Sequence, residues 1–228
     1  MGRVIHWLYE RALLRGIEVL PSHVCFMITE SDMETTPLKL YEVTGWCLLV
    51  NTHLVRKNYQ KGRKEATPPP AIQGVTFHIS TPDPAHLLPY LPLIQKVGCH
   101  ARLHLHFGET TEVTGEGMDV CVAVGNSGRE EIVCCIRKMA EDGISPETIC
   151  EQTFEEYLTF PYAPDLVIKT GGSHLTDFLI WQSVYSELFF SDVWTGNECV
   201  IVTSYLVRAL SWANTINMCT DSGGEGQY

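Results

Sequence analysis

Residues 164–190 constrain the fold most, because they combine an apolar strand pattern, a glycine turn and a second apolar run. The run at 166–168 predicts a short buried strand that leads through Lys169 into a tight glycine turn. The pattern then predicts a helix over residues 177–190. A strand, a glycine-rich turn and a helix N-terminus together present backbone N–H groups and a cation to a phosphate. The stretch therefore predicts an anion-binding turn in an α/β fold.

Length and composition favour one globular domain with a substantial core. The chain has 228 residues, of which 45% are hydrophobic and 19% charged. The net charge of -11 argues against nucleic-acid binding and leaves room for a local basic patch facing a diphosphate or a membrane surface. Nine cysteines without CxxC spacing predict reduced thiols in a cytoplasmic protein. We expect no membrane-spanning helix and no signal peptide.

Apolar runs alternate with helical periodicities along the chain, which predicts an α/β domain with a mostly parallel central sheet. The predicted strands cover residues 24–28, 74–79, 102–107, 119–124, 166–168 and 198–202. The predicted helices cover residues 37–55, 84–97, 129–142 and 203–216, with another that starts at Ser145. We interpret residues 29–32 and 110–118 as loops.

The two ends of the chain are predicted to differ from the domain at residues 21–216. Residues 1–20 predict an amphipathic helix, which could pack on the domain or a partner, or lie at a membrane surface. Residues 217–228 predict a flexible C-terminal tail.

The loops that follow Thr29, Ser80, Gly125 and Lys169 are expected to share one rim, since parallel strands end at the same edge of a sheet. Arg129, Lys169 and the neighbouring glycines make an anion the expected ligand.

The alternation in the strand at 102–107 puts His104 and His106 on one face. The pair could hold a metal ion. With no third ligand near in sequence, two partly exposed histidines are the alternative.

At this point the residues resemble a known family. The run PDLVIKTGGSHLTDFLIWQSVYSELFFSDV resembles the cis-prenyltransferases (undecaprenyl diphosphate synthase and its relatives), and residues 119–132, 23–28 and 77–81 resemble further segments of the same family. The resemblance implies a dimeric α/β fold with an apolar tunnel for the growing chain. It also implies condensation of isopentenyl diphosphate onto an allylic diphosphate, with Mg²⁺ bridging the diphosphates.

Several positions depart from the family pattern. Thr29, followed by Glu30, stands where the resemblance expects an aspartate and then Gly-Asn-Arg-Arg. Lys169 replaces an arginine, which keeps the charge and loses the bidentate fork. Ser173 replaces an acid, and His174 is nearest to a missing second arginine.

Other positions keep the pattern, and one motif is missing. The resemblance keeps Arg129, Gly171 and Gly172 for a residual diphosphate site and Glu187 for a metal. The two glycines could instead serve only a positive φ, and Glu187 could be an interface carboxylate. No Arg-x-Gly motif stands near the C-terminus.

This pattern resembles the non-catalytic subunit of heteromeric cis-prenyltransferases, the class that includes the Nogo-B receptor, and favours archaeal and eukaryotic members. It implies a chain that does not catalyse alone. Such a chain would support a catalytic subunit making long-chain polyprenyl diphosphate, the precursor of dolichol-type glycosyl carrier lipids. The partner would be that subunit, in a heterodimer or heterotetramer, or a second copy in isolation. The expected interface residues are Asp177, Phe178, Trp181, Gln182, Tyr185 and Phe189.

Mg²⁺ is expected for the complex and not to be held tightly by this chain, which we expect to be cytoplasmic or peripheral at a membrane. Two alternatives stay open. The chain could be a divergent prenyltransferase active by itself, with Glu30, Asp32 or Glu187 holding the metal. It could also bind a prenyl lipid without chemistry.

Overall fold

Seven strands form one mixed sheet in the computed structural model, which describes residues 20–60, 71–108 and 110–191. They lie in the order β4-β3-β5-β2-β1-β6-β7, and every neighbouring pair is parallel except β3 and β4. The strands are β1 (His23–Thr29), β2 (Gly74–Ser80), β3 (Arg102–Phe107), β4 (Thr110–Thr114), β5 (Asp119–Val124), β6 (Leu166–Thr170) and β7 (Glu187–Ser191).

Helices of unequal length connect these strands. The α-helices are α1 (Glu30–Thr35), α2 (Lys39–Gln60), α3 (Leu91–Gln95), α4 (Gly128–Glu141) and α5 (Glu151–Glu155). Short 3₁₀ segments cover Pro84–Tyr90, Lys96–Cys99 and Pro146–Thr148. The sheet and these helices confirm the predicted α/β class with a mostly parallel sheet.

Strands β1, β2, β5 and β6 are buried on both faces and supply two apolar layers. On one face, Phe26 and Phe77 stack with ring centroids 5.3 Å apart, and Trp46 of α2 joins the same cluster. On the other face, residues including Cys25 and Met27 of β1 lie under Phe178. Burial on both faces explains why these strands read as continuous apolar runs. The apolar tunnel stays a prediction.

The five predicted strands within the described residues are confirmed, and so is the shared rim. Thr29 pairs in register with Ser80 across β1 and β2. The N–H of Gly125, which follows β5, donates to the carbonyl oxygen of Ile79 at 3.0 Å. On the other side of β1, Lys169 of β6 pairs with Met27.

Two segments predicted as loops are regular structure. Residues 30–35 form α1, because Thr29 caps the helix and exchanges a reciprocal capping box with Asp32. Residues 110–114 form β4, which pairs antiparallel with β3 at one edge of the sheet.

The helix predicted over residues 177–190 is wrong. Residues 180–185 form turns, and residues 187–191 form β7, which pairs with β6. Leu179 has a positive φ of 49°, which an α-helix does not tolerate. The run Leu-Phe-Phe at 188–190 suits a strand beside β6.

Other predicted helices are confirmed in part. α2 and α4 are present, and α2 extends beyond the predicted residue 55. The predicted helix at 84–97 is divided into 3₁₀ and α segments that contain Pro89 and Pro92. Ser145 precedes only a short 3₁₀ segment.

Several predictions fall outside the described residues: nearly all of the helix at 1–20, the strand at 198–202, the helix at 203–216 and the tail. Among the helices of the described ranges, none is long and apolar enough to cross a membrane. Seven of the cysteines lie in those ranges, and all seven are free thiols.

Candidate anion site at the carboxyl edge of the sheet

The carboxyl ends of β1 and β6 and the start of α4 build the rim where an anion was predicted. Thr29 ends β1, Thr170 ends β6, and Ser127 caps α4 by accepting from the N–H of Glu130 at 3.2 Å. Hydroxyl and backbone donors therefore converge at this edge. Their present partners determine what the site can bind.

The Asp32 carboxylate accepts hydrogen bonds from the donor groups at the ends of β1 and β6. Its Oδ2 accepts from the backbone N–H of Thr29 at 2.8 Å, from Thr29 Oγ1 at 2.7 Å and from Thr170 Oγ1 at 2.9 Å. In return, the N–H of Asp32 donates to Thr29 Oγ1 at 3.2 Å. One carboxylate oxygen of the chain itself thus occupies the centre of this donor set.

Lys169 is buried beside this carboxylate. Its Nζ donates to the carbonyl oxygen of Thr170, next along the strand. Burial lowers the pKa of Lys169, and the nearby Asp32 carboxylate acts in the opposite direction. The predicted cation of the turn is therefore directed into the protein.

Asp177 fills a second donor set, at the N-terminus of α4. Its Oδ2 accepts from Ser127 Oγ at 2.8 Å, and its Oδ1 accepts from the N–H of Arg129 at 3.1 Å. The Nε of Arg129 lies 3.4 Å from Oδ2, although the arginine side chain is 81% exposed. Asp177, predicted at a subunit interface, contacts a helix of its own chain, and Arg129 reaches solvent from that position.

Gly171 and Gly172 have the positive φ angles that a tight turn after β6 requires, +66° and +127°. A Cβ atom at Gly171 would lie 2.8 Å from Cγ2 of Thr29. Gly171 thus allows the turn to approach the residue that caps α1.

Replacing Gly171 by alanine should destabilise the chain by about 1–3 kcal/mol, through both the left-handed backbone and the contact with Thr29. Gly143→Ala is the matched control, since Gly143 has a φ of +69° and nothing within 4 Å of the added carbon. Chemical denaturation of both variants separates the two costs. Equal losses would contradict a close approach at Thr29.

The remaining predicted site residues are not brought to one point. Glu30 accepts from Thr81 Oγ1 at 2.5 Å, and its other oxygen lies 3.1 Å from His86 Nδ1. His174 is exposed on the turn. Glu187 pairs with Leu166 at the start of β6, four residues from Thr170 and so roughly 13 Å along the strand from the rim.

These positions do not fit a Mg²⁺ site within this chain. One oxygen of Asp32 already accepts three hydrogen bonds, and Glu30 contacts side chains that follow β2. Glu187 lies beside the start of β6, at the amino ends of the strands and away from the rim. Within the described part of the chain, no three His, Cys, Asp or Glu residues cluster as metal ligands would. The metal role of Glu187 stays a prediction.

His104 and His106 each have a separate partner. His104 Nε2 lies 3.1 Å from Asp119 Oδ1, which is also 3.7 Å from Arg102 Nη1. The His106 ring packs edge-on against Phe160 at 4.8 Å. Burial lowers the pKa of His106, and His104 adds to this. The arrangement favours two partly exposed strand histidines over a metal pair.

The predicted interface residues divide into buried and exposed groups. Phe178 stacks on His78 with ring centroids 4.0 Å apart, and Gln182 Nε2 donates to Glu131 Oε2 and to the carbonyl oxygen of Phe160 at 3.2 and 2.8 Å. By contrast, Trp181 and Tyr185 are 36% and 97% exposed. Phe189 of β7 is partly buried against the core.

Sequence reasoning missed the roles of Asp32, Thr170 and Asp177. The spacing Thr29-x-x-Asp32 was a readable signal, because a capping residue followed three positions later by an acid marks a helix start. The contacts of Thr170 with Asp32 and of Asp177 with Ser127 join residues far apart in sequence, so a local sequence pattern could not predict them.

Comparison with known proteins relates this sequence and fold to one family. The family described as "Putative undecaprenyl diphosphate synthase" matches residues 99–197. A tritrans,polycis-undecaprenyl-diphosphate synthase (geranylgeranyl-diphosphate specific) of Thermoplasma volcanium is 30% identical over 182 residues, which cover 68% of this chain and 67% of that protein. An isoprenyl transferase of Thermus thermophilus is 26% identical over 85% of this chain and 88% of its own length.

The fold of a solved structure agrees. A probable undecaprenyl diphosphate synthase from Campylobacter jejuni superposes with a TM-score of 0.53 at 16% identity, over 84% of this chain and 96% of that one. The fold is that of the cis-prenyltransferases. The chain belongs to the cis-prenyltransferase (undecaprenyl diphosphate synthase) family. Its match to an isoprenyl transferase of Ralstonia nicotianae, 35% identical over 49% of this chain, spans 44% of that protein.

Proposed function

We propose that this chain is the accessory subunit of a heteromeric cis-prenyltransferase and does not catalyse alone. Its partner would be a catalytic relative that condenses isopentenyl diphosphate onto an allylic diphosphate to make a long-chain polyprenyl diphosphate, a glycosyl carrier lipid precursor. One observation carries the proposal: the carboxylates of Asp32 and Asp177 occupy the two donor sets of the rim. The complex would work in the cytoplasm or at a membrane surface.

The electrostatics of the rim support this role. A diphosphate entering here would have to displace Asp32 or lie beside it, and like charges at such distances repel strongly where solvent is excluded. Lys169 is buried and contacts a backbone carbonyl, and Arg129 is paired with Asp177. Each of the two cations therefore lies beside a carboxylate that would oppose the binding of a diphosphate.

The chemistry of the reaction supports it too. Ionising an allylic diphosphate requires a metal ion and cations that stabilise the leaving group. Thr29 stands where the family pattern has an aspartate and donates its hydroxyl proton to Asp32. Mg²⁺ would then be held by the partner, which supplies the aspartate loop.

The test compares the lone chain with the mixed complex. The purified chain, incubated with isopentenyl diphosphate, an allylic diphosphate and Mg²⁺, should give no polyprenyl product above background. Co-expression of the chain with a relative that has an intact Asp-Gly-Asn-Arg-Arg loop should raise product formation about tenfold or more above that of the relative alone. This increase corresponds to a lowering of the activation barrier by about 1.4 kcal/mol. Robust turnover by the lone chain would refute the accessory role.

A second candidate is a divergent prenyltransferase active by itself, which is favoured by the names of the relatives as synthases and transferases. In that case Lys169→Ala or Glu187→Gln should abolish turnover by the lone chain. Calorimetry would also detect Mg²⁺-dependent binding of inorganic diphosphate. Absence of such binding would exclude this candidate.

A further inference from the structure

The outer side of α2 has an apolar stripe towards its C-terminal end, formed by Leu48, Leu49, Thr52 and Val55, which we call the α2 stripe. Leu49 and Val55 are 58% and 50% exposed, and Leu48 is partly buried. The four positions recur at helical spacing, on the side of α2 away from the buried Val43. A contiguous apolar surface of this kind indicates that another segment packs on it.

Gly45 extends the α2 stripe by one turn, since it lies four residues before Leu49. Among the described residues, no atom lies within 4 Å of a Cβ atom placed on Gly45. Glycine inside a helix is less favourable than alanine, so packing within the described residues does not require it here. A glycine at this position leaves room for the backbone of a second helix to approach α2 closely.

The chain enters the domain beside the α2 stripe. Leu20 is 5% exposed and lies in the same apolar layer as the buried side of α2. Two residues further on, the carbonyl oxygen of Ser22 accepts from the N–H of Gln73 at 2.7 Å. Ile72, the neighbour of Gln73, exchanges two hydrogen bonds with the side chain of Asn51, at 2.8 and 2.9 Å. Because Asn51 lies in the C-terminal half of α2, the part of the chain before Leu20 joins the domain next to that half of the helix.

The part of the chain before Leu20, residues 1–19, has the length and the pattern of a helix that fits this surface. Its apolar positions recur at intervals of three and four residues and are Ile5, Leu8, Ala12, Gly16 and Val19. A helix over residues 4–19 would be about 24 Å long, and the 22 residues of α2 extend over about 33 Å. Residues 1–19 can therefore cover the α2 stripe and Gly45 from the point where they join the domain.

A tethered segment is favoured over a separate partner as the occupant of the α2 stripe. The tether gives the segment a high effective concentration at α2, which a separate chain has to match by affinity. A membrane surface is disfavoured, because anionic headgroups repel a chain with a net charge of -11, and the exposed Glu42 lies beside Gly45. We infer that residues 1–19 form a helix that packs on the α2 stripe of the same chain. The inference goes beyond the proposed function and does not depend on it.

Trypsin cleavage of the full chain after Arg15 tests the contact, because a helix that packs on the domain is cleaved only when it detaches. Leu49→Asp places a charge in the contact, and Gly45→Leu fills the space that the backbone of the segment needs. Leu8→Asp makes the equivalent change on the segment. Each variant should speed cleavage after Arg15 by about tenfold or more relative to wild type, with circular dichroism showing that the domain stays folded.

Two comparisons separate the loss of this contact from a general loss of structure. Val113→Asp is the matched control, since Val113 is 55% exposed on the edge strand β4, and it should leave the cleavage rate within about twofold of wild type. Combining Leu8→Asp with Leu49→Asp should speed cleavage little beyond either change alone, because both remove the same contact. Leu8→Asp changes the segment and not the domain, so it keeps the test valid if Leu49→Asp fails to fold.

Wild type cleaved after Arg15 as fast as Leu8→Asp would overturn the inference, and so would protection that Leu49→Asp and Gly45→Leu leave unchanged. Protection that grows with protein concentration would show that the segment covers a second copy. Protection that appears only with phosphatidylglycerol vesicles would show that the segment binds lipid, and either of these results would overturn the inference too. None of these measurements involves prenyl transfer, so turnover by the lone chain would refute the accessory role and leave this inference intact.

Discussion

Lowering the pH from 7 to 5 should reduce the free energy of unfolding by about 2 kcal/mol for each of two buried histidines, His23 and His78. Burial lowers the pKa of each from 6.5 to about 4, with Asp165 opposing the shift at His23 and the Asn126 carbonyl opposing it at His78. Both rings are neutral in the folded chain. The unfolded chain takes up protons below pH 6.5, so the stability is complete above that pH and is lost progressively down to about pH 4.

The contacts of the two rings explain why they stay uncharged. His23 Nε2 lies 2.8 Å from Thr76 Oγ1, and its ring stacks on Tyr162 at 5.0 Å. His78 Nε2 lies 3.0 Å from the Asn126 carbonyl oxygen, and Lys169 further lowers the pKa of His78. A second proton on either ring would introduce a buried charge among apolar strand residues.

Urea denaturation at steps between pH 7 and pH 5 would measure this loss, in a range where ordinary carboxylates stay ionised. Glutamine does not titrate, so His78→Gln should remove about half of the change in the free energy of unfolding between pH 7 and pH 5. If His78→Gln loses as much stability between pH 7 and pH 5 as wild type does, other groups are responsible for the pH dependence.

The inner strands could be predicted because burial on both faces requires a continuous run of apolar residues, which is visible in the sequence. Residues 24–28 and 120–124 are continuous apolar runs, and each lies inside the sheet with neighbours on both sides. The shared rim followed from the same inference, since parallel strands joined by crossovers end at one edge. Nothing beyond local pattern was needed for either step.

The segment after the glycine turn could not be predicted in the same way. Trp181, Tyr185 and Phe189 recur at helical spacing, yet the first two lie in turns and the third lies on β7. What decides the outcome is the vacant edge of β6, which β7 fills, and the packing of Phe178 and Leu179 under the sheet. Both are tertiary effects that periodicity does not contain.

The rim illustrates the same limit for function. The residue types at Lys169 and Arg129 and the neighbouring glycines could be compared with a phosphate site from sequence alone, and they pointed to an anion. The identity of the anion depends on contacts across the fold, because Thr170 reaches Asp32 and Ser127 reaches Asp177. The anions are carboxylates of the chain itself.

Truncating Phe178 should cost about 3–5 kcal/mol of stability, because a large side chain in a close-packed interior leaves a cavity when it is removed. Phe178 is 2% exposed, stacks on His78 and meets Phe160 edge-on at 5.1 Å. It is therefore a core residue of the layer that also contains Val167 of β6, two positions before Lys169.

Tyr185→Ala is the matched control, since Tyr185 is almost fully exposed a few residues further along. Its removal should change stability by less than about 0.5 kcal/mol. Thermal and urea denaturation of Phe178→Ala and Tyr185→Ala would distinguish core from surface. A Phe178→Ala variant as stable as wild type, or a Tyr185→Ala variant as unstable as Phe178→Ala, would contradict this division, in which Phe178 holds the turns against the sheet and Tyr185 remains available to another chain.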